Sequence, residues 1–334
     1  MHKALFYQQI GNNQVKCLLC PHECTINEGR RGSCRVRKNN NGILYSENYG
    51  MVTALHLDPI EKKPLYHFYP GRAILSIGTF GCSLKCKFCQ NHDISQSSIE
   101  NFSHLKEYTS EKIVEAAEKH PENLGIAFTY NEPVIWYEFM LDTAEKSKKK
   151  NLKNVAVTNG YINEAPLEKL LPLIDAFNID LKAFTEEFYK NYTSSRLEPV
   201  KNTLKKIRSA GKHLEITNLI IPTLNDDEKV FKDMMKWISS ELGKETVFHI
   251  SRYFPMYRMN IHSTPVSLLK RLFDIASQYL DFVYLGNVSL PEGKNTICPS
   301  CGNLLISRNG YFIDITGVKD GRCTNCNHQV FNYF

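Results

Sequence analysis

From Ala73 onward the chain alternates short apolar runs with longer amphipathic stretches. The runs are AILSIG (73–78), LGIAFT (124–129), NVAVT (154–158), AFNIDL (176–181), LEITNLII (214–221), VFHIS (247–251) and FVYLG (282–286). Their lengths and flanking turn residues predict strands. Between them, apolar residues recur at helical spacing: Leu167, Leu170, Leu171 and Ile174, then Phe231, Met234, Met235, Ile238 and Leu242, then Leu269, Leu272, Phe273 and Ala276. These stripes predict helices packed on a core. Asn225, three residues before Glu228, reads as a capping box, and Gly243 as a helix stop. Repeated strand–helix units imply a parallel sheet. The expected fold class is α/β, a partial parallel (β/α) barrel of the TIM type. Upstream, DPIEKKPLYHFYPG (58–71) carries Asp58, Glu61, Lys62 and Lys63 beside prolines. It reads as a turn-rich strand with a solvated charge run; a contact near the site is the sharper alternative.

In such a barrel, functional groups gather at the C-terminal ends of the strands. This chain puts its unusual polar residues there. Thr129-Tyr130-Asn131-Glu132-Pro133 follows the second run, Thr158-Asn159-Gly160 the third, and Asp180-Leu181-Lys182 ends the fourth. The fifth ends in Ile221-Pro222-Thr223-Leu224-Asn225-Asp226 and the sixth leads into Ser251-Arg252-Tyr253-Phe254-Pro255. A strand-end Asn-Gly alone is usually a turn. Recurrence at one face carries more weight.

The first run leads into GCSLKCKFCQN (81–91), where Cys82, Cys86 and Cys89 stand in the spacing C-x3-C-x2-C, with Phe88 before the last. Three thiolates can hold three irons of a [4Fe–4S] cluster and leave the fourth iron without a protein ligand. Electron-transfer clusters are ordinarily ligated by four cysteines. A metal position left open is what chemistry at a metal needs. Its natural occupant here is S-adenosylmethionine (SAM), and the aromatic residue completes a pattern that resembles the radical-SAM signature.

Two cysteine quartets flank this loop. Cys17, Cys20, Cys24 and Cys34 form a closed four-thiolate site for which structural zinc is the default and an auxiliary iron–sulfur cluster the rival. His22 beside them reads as a solvated loop residue. Cys298, Cys301, Cys323 and Cys326 form two C-x2-C knuckles around a β-rich stretch, a zinc-ribbon pattern with rubredoxin-type iron as the alternative. A ribbon can bind nucleic acid, bind protein or cap the barrel. Arg308, Lys319 and Arg322 read as exposed but do not form a nucleic-acid patch. The expected organisation is a four-cysteine module over 1–50, the barrel over 51–290 and a zinc-ribbon-like module over 291–334.

From about Ala73 to Met256 the chain resembles the pyruvate formate-lyase activating enzyme group of radical-SAM proteins. The resemblance rests on FGCSLKCKFCQN, YNE (130–132), TNG, DLK and IIPTLNDD (220–227), in that order. It implies that Glu132 binds the SAM amino group, with Tyr130 and Asn131 nearby. It implies further cofactor contacts from Phe88, from Asn159 of TNG, and from Asp180 and Lys182, which would hold ribose and carboxylate. An anion at Glu132 and a cation at Lys182 suit a zwitterionic amino acid. Val157 stands where that group has a cation-binding aspartate, and Phe254 where it has a SAM-contacting histidine. The flanking quartets, DPIEKKPLYHFYPG and FHISRYFPMYRM resemble a narrower family, the radical-SAM enzyme of the AmmeMemoRadiSam system. That resemblance implies partners like the Memo and AMMECR proteins, and an electron donor such as flavodoxin or ferredoxin.

At 334 residues the chain can bury a sizeable core, and its net charge of +6 permits an anionic partner without demanding one. No apolar run approaches a membrane span, and MHKALFYQQI does not read as a signal peptide. Clustering of the 11 cysteines points to metal ligation in a reducing cytoplasm rather than to disulfides. The expectation is a cytoplasmic radical-SAM enzyme acting on an unidentified substrate. The alternatives are an activase that installs a glycyl radical on a partner enzyme, and a non-catalytic metal-rich protein that binds RNA or protein.

Overall fold

The computed structural model describes residues 2–334. Eight strands form one sheet in simple chain order: β1 (Ala54–Pro59), β2 (Ala73–Gly78), β3 (Asn123–Phe128), β4 (Lys153–Thr158), β5 (Ala176–Asp180), β6 (His213–Ile220), β7 (Val247–Arg252) and β8 (Val283–Gly286). The pairs from β2 to β8 are parallel; β1 joins β2 antiparallel, with Ala54 opposite Gly78 and Pro59 opposite Ala73. β1 and β8 do not pair, so the barrel is partial. All seven apolar runs are strands, within a residue or two of the expected bounds.

Six helices cover the sheet: α1 (Ser110–Glu118), α2 (Tyr137–Lys149), α3 (Glu164–Leu170), α4 (Leu197–Ser209), α5 (Glu228–Leu242) and α6 (Val266–Ala276). The three expected stripes are the buried faces of α3, α5 and α6, although α3 stops before Leu171 and Ile174, which pack from the following turn. The expected capping box is absent. Asp227 caps α5, its side chain accepting from Val230 N at 2.9 Å. Asn225 instead accepts from Ile221 N and donates to Lys182 O and Leu219 O, tying the end of β6 to the end of β5. Gly243 ends α5 at φ +99°, as expected of a stop.

The segment between β1 and β2 is a strap rather than a solvated run. Asn178 Nδ2 donates to Pro64 O, and Glu215 accepts from Tyr66 N and His67 N, so the strap crosses the face of the sheet that carries these polar groups. Ile60, Leu65 and Phe68 pack there with Ile74, Ala127, Val155 and Ala176. Asp58, Glu61 and Lys63 are buried; only Lys62 remains partly exposed. Lys63 Nζ donates to Asp58 Oδ2 at 2.7 Å. A buried charge is stable only when paired, and local charge density does not reveal a partner five residues away across a strand end.

Before β1, short antiparallel strands (Tyr7–Gly11, Gln14–Cys17 and Thr25–Ile26; His2–Lys3, Arg37–Asn40 and Ile43–Ser46) carry the first cysteine quartet. They join the barrel through Arg37 and Glu138 of α2, an ion pair of 2.8 Å with both side chains buried. After β8, strands Thr296–Ile297, Leu304–Asn309 and Phe312–Ile315 form a small sheet. Arg308 corrects the reading of an exposed cation. It is 3% exposed, donates to Thr296 Oγ1 at 2.7 Å and Tyr66 O at 3.1 Å, and lies over the Tyr66 ring. It fastens the C-terminal strands to the strap. Among the described residues no helix is long and apolar enough to cross a membrane.

Candidate active site

The cysteine loop leaves β2 through Gly81. Its φ is +87°, and a Cβ there would lie 2.7 Å from Cys34 O and 2.6 Å from Val36 Cγ1. Glycine thus serves both the left-handed turn and the close approach of the N-terminal strands. The next strand end clamps the loop: Asn131 accepts from Thr79 N and donates to Gly81 O, while Asn91 donates to Tyr130 O. His22, expected in solvent, is half-buried with its Nε2 2.8 Å from Ser83 O, so the N-terminal segment braces the loop from the other side.

Cys82, Cys86, Phe88 and Cys89 line one cavity of about 570 Å³ together with Tyr130, Asn131, Glu132, Asn159, Asp180 and Lys182. The ten residues expected at the central site are therefore brought together, at the C-terminal ends of β2 to β5. A volume of this size lies within the roughly 300–1,000 Å³ typical of small-molecule sites.

Glu132 is 2% exposed and accepts from Val134 N, Thr158 Oγ1 and Asn159 N at 2.6–3.0 Å. Burial pushes its carboxyl up to about 7 against those three hydrogen bonds. A cation beside it would favour the charged form. Asn159 continues the contact towards the loop, its Nδ2 lying 3.2 Å from Ser83 Oγ and 3.8 Å from Cys82 Sγ. Lys182 reaches Asp180 at 3.0 Å and lies 5.9 Å from the centre of the Phe88 ring. Burial opposes its charge, but Asp180 and the Cys86 sulfur outweigh burial and raise the ammonium above its ordinary range. Burial also pushes the Cys86 thiol up to about 12. A buried thiol of this kind becomes a thiolate when a metal supplies positive charge. Three cysteine sulfurs on one loop, with a carboxylate and an ammonium lining the same cavity, fit a three-cysteine cluster and a zwitterionic amino acid.

The cavity wall includes residues that the sequence analysis did not single out. Thr217 and His249 line it from β6 and β7, beside Ser251, which was expected at the end of its strand, and Tyr311 arrives from the C-terminal strands. Glu61, Lys62 and Lys63 enter from the strap, which favours the sharper of the two readings of that segment. Alternation along β6 and β7 could have marked the first group. Nothing local marks Tyr311. Tyr130 is held at φ +71°, with its hydroxyl donating to Asp58 at 2.5 Å and Lys63 Nζ 4.5 Å from its ring centre. Val157 also lines the cavity, so no carboxylate is supplied at that position.

The outer quartets differ in geometry. The sulfurs of Cys298, Cys301, Cys323 and Cys326 all lie within 4.8 Å of one another. Cys17, Cys20, Cys24 and Cys34 converge on a small enclosed cavity that Arg37 also lines, but no three of their sulfurs share that close spacing.

Residues 76–238 match the family model of the Radical SAM superfamily. Over 335 aligned residues the chain is 42% identical to the uncharacterized protein MJ0808 of Methanocaldococcus jannaschii, covering 99% of each chain. It is 25% identical over 234 residues to the putative glycyl-radical enzyme activating enzyme MJ1227 of the same organism, covering 66% of this chain and 92% of that one. Among solved structures, a radical SAM methyltransferase from Sphaerobacter thermophilus superposes with a TM-score of 0.52 at 14% identity, over 71% of each chain. With the three-cysteine loop at the mouth of a partial parallel barrel, the family match shows a Radical SAM domain over residues 76–238.

Proposed function

We propose that this protein binds a [4Fe–4S] cluster through Cys82, Cys86 and Cys89, and SAM through Glu132, Asn159, Asp180 and Lys182. The observation that carries this reading is the convergence of these side chains on one cavity. When bound, the pair supplies one-electron cleavage of SAM to a 5′-deoxyadenosyl radical, which abstracts hydrogen from a substrate. The chain's own residues supply orientation. Glu132 receives the amino group, Lys182 the carboxylate, and Phe88 packs beside that ammonium. Asn131 and His22 hold the loop in place from opposite sides. Tyr130, Lys63 and Tyr311 line the same cavity, from which water must be excluded around a radical. The reading includes the three-part organisation at 1–50, 51–290 and 291–334, zinc in the C-terminal quartet, a cytoplasmic location and a flavodoxin- or ferredoxin-type electron donor. It also includes membership of the AmmeMemoRadiSam system, with Memo-like and AMMECR-like partners.

A second reading, activation of a glycyl-radical enzyme, is favoured by the similarity to MJ1227 along nearly that protein's whole length. The two differ in what receives the radical. Anaerobically reconstituted protein should form 5′-deoxyadenosine from SAM, and Cys86→Ala should form none. Undiminished product from Cys86→Ala would overturn both readings. A glycyl-radical signal that appears only when a partner enzyme is added would select the second.

A further inference from the structure

We propose that Cys17, Cys20, Cys24 and Cys34 hold a second iron–sulfur cluster and not the zinc that their spacing alone suggests. The separation of the sulfurs distinguishes a cluster from zinc, and a second observation, which any anionic four-thiolate site would answer, places an acceptor beside Arg37. A tetrahedral zinc ion with Zn–S bonds of about 2.3 Å draws its four sulfurs to within about 3.8 Å of one another. The C-terminal quartet is built that way: Cys298 and Cys326 are 3.6 Å apart, as are Cys301 and Cys323, and all four sulfurs lie within 4.8 Å. The N-terminal four face one enclosed cavity without gathering in this way, since no three of them meet the same limit. Four-cysteine ligation of a [4Fe–4S] cluster places each sulfur on a different iron, farther apart than ligands of a single ion.

The second observation is a set of donors without partners. Arg37 lines the same cavity and is 1% exposed. Its Nη2 serves Glu138 and Leu5 O, while Nε and Nη1 have no partner. Leaving a buried charged donor unsatisfied is costly, so these N–H groups require an acceptor. Ser33 N–H already points at Cys24 Sγ at 3.5 Å. A four-thiolate [4Fe–4S] cluster carries net negative charge and offers inorganic sulfides, in addition to cysteine sulfurs, as acceptors for such donors. Its position is next to the central loop, because His22, between Cys20 and Cys24, contacts Ser83 beside Cys82.

The test leaves the N-terminal cysteines intact. The full chain carrying Cys82→Ala, Cys86→Ala and Cys89→Ala is produced anaerobically with both iron and zinc supplied, and its iron, sulfide and zinc are counted. About four irons and four sulfides should remain, with about one zinc, and the reduced protein should give an iron–sulfur electron-spin signal that SAM does not alter. The wild-type chain should hold about eight irons. A triple variant with no iron and about two zincs would overturn the proposal while leaving the central site untouched. Failure of the central assignment would look different: wild type and triple variant would both hold about four irons.

Discussion

Glu132 joins the peculiarities of the site in one side chain. It is closed off from solvent, accepts three hydrogen bonds, and still sits near 7 because burial outweighs them. Its pKa is raised, so the carboxyl takes up a proton as pH falls through about 7 and loses its attraction for an ammonium group. Equilibrium titration should therefore show SAM affinity falling on acidification through pH 7. Glu132→Gln should bind SAM about 10- to 150-fold more weakly above that pH, the equivalent of about 1.5–3 kcal/mol, and should lack the step. Equal affinities for the two proteins would place the amino group elsewhere. The identity of this residue was legible in the sequence because YNE follows a strand in the right order. Its donors were only partly legible. Val134 is two positions away, but Thr158 and Asn159 come from the next strand end.

At the scale of elements, the strap between β1 and β2 changes the picture most. Its charges looked solvated because prolines and lysines are the usual composition of a surface turn. Burial of Asp58 and Lys63 is visible only once β1 pairs antiparallel with β2 and turns the strap back over the sheet. Replacing Lys63 by Met removes one half of a buried pair. Urea unfolding should register a loss of about 3 kcal/mol, the low end for such pairs, because Lys62 still reaches Asp58. Adding Asp58→Asn should recover part of that loss. If the double variant were no more stable than Lys63→Met, uncompensated charge would not be the cause.

The whole molecule is tied together beneath its cavity. Glu215 on β6 accepts from Tyr66 N and His67 N of the strap and pairs with His213 and His249. His67 Nε2 meets the Tyr284 hydroxyl on β8 at 2.6 Å, Tyr284 meets Thr296, and Thr296 accepts from Arg308. Burial, opposed by Glu215 and reinforced by Arg308 and the other two histidines, pulls the His67 imidazole from its ordinary 6.5 down to about 3. The unfolded chain therefore takes up a proton below pH 6.5 that the folded chain refuses. This contribution to stability is full above pH 6.5 and is lost as pH falls towards 3, at up to about 1.4 kcal/mol per pH unit. Urea titrations at several pH values should show that slope reduced by about one proton in His67→Gln. Identical slopes would mean that the folded protein admits the proton.

The sequence by itself determined the strands, the repeated strand–helix order and the three-cysteine loop, because each is written in near neighbours. A short apolar run marks a buried strand within a few residues, and ligands on one loop must be closely spaced. Tertiary structure alone decided that Arg308 is a buried fastener, that His22 braces Ser83, that Tyr311 reaches the cavity, and that the strap lies inside. Each of these depends on a partner from a distant part of the chain: Ser83 is 61 residues from His22 and Tyr66 is 242 from Arg308. Residue type indicates that a cation or an imidazole will seek a partner, but local patterning holds no record of one brought near only when the sheet has formed.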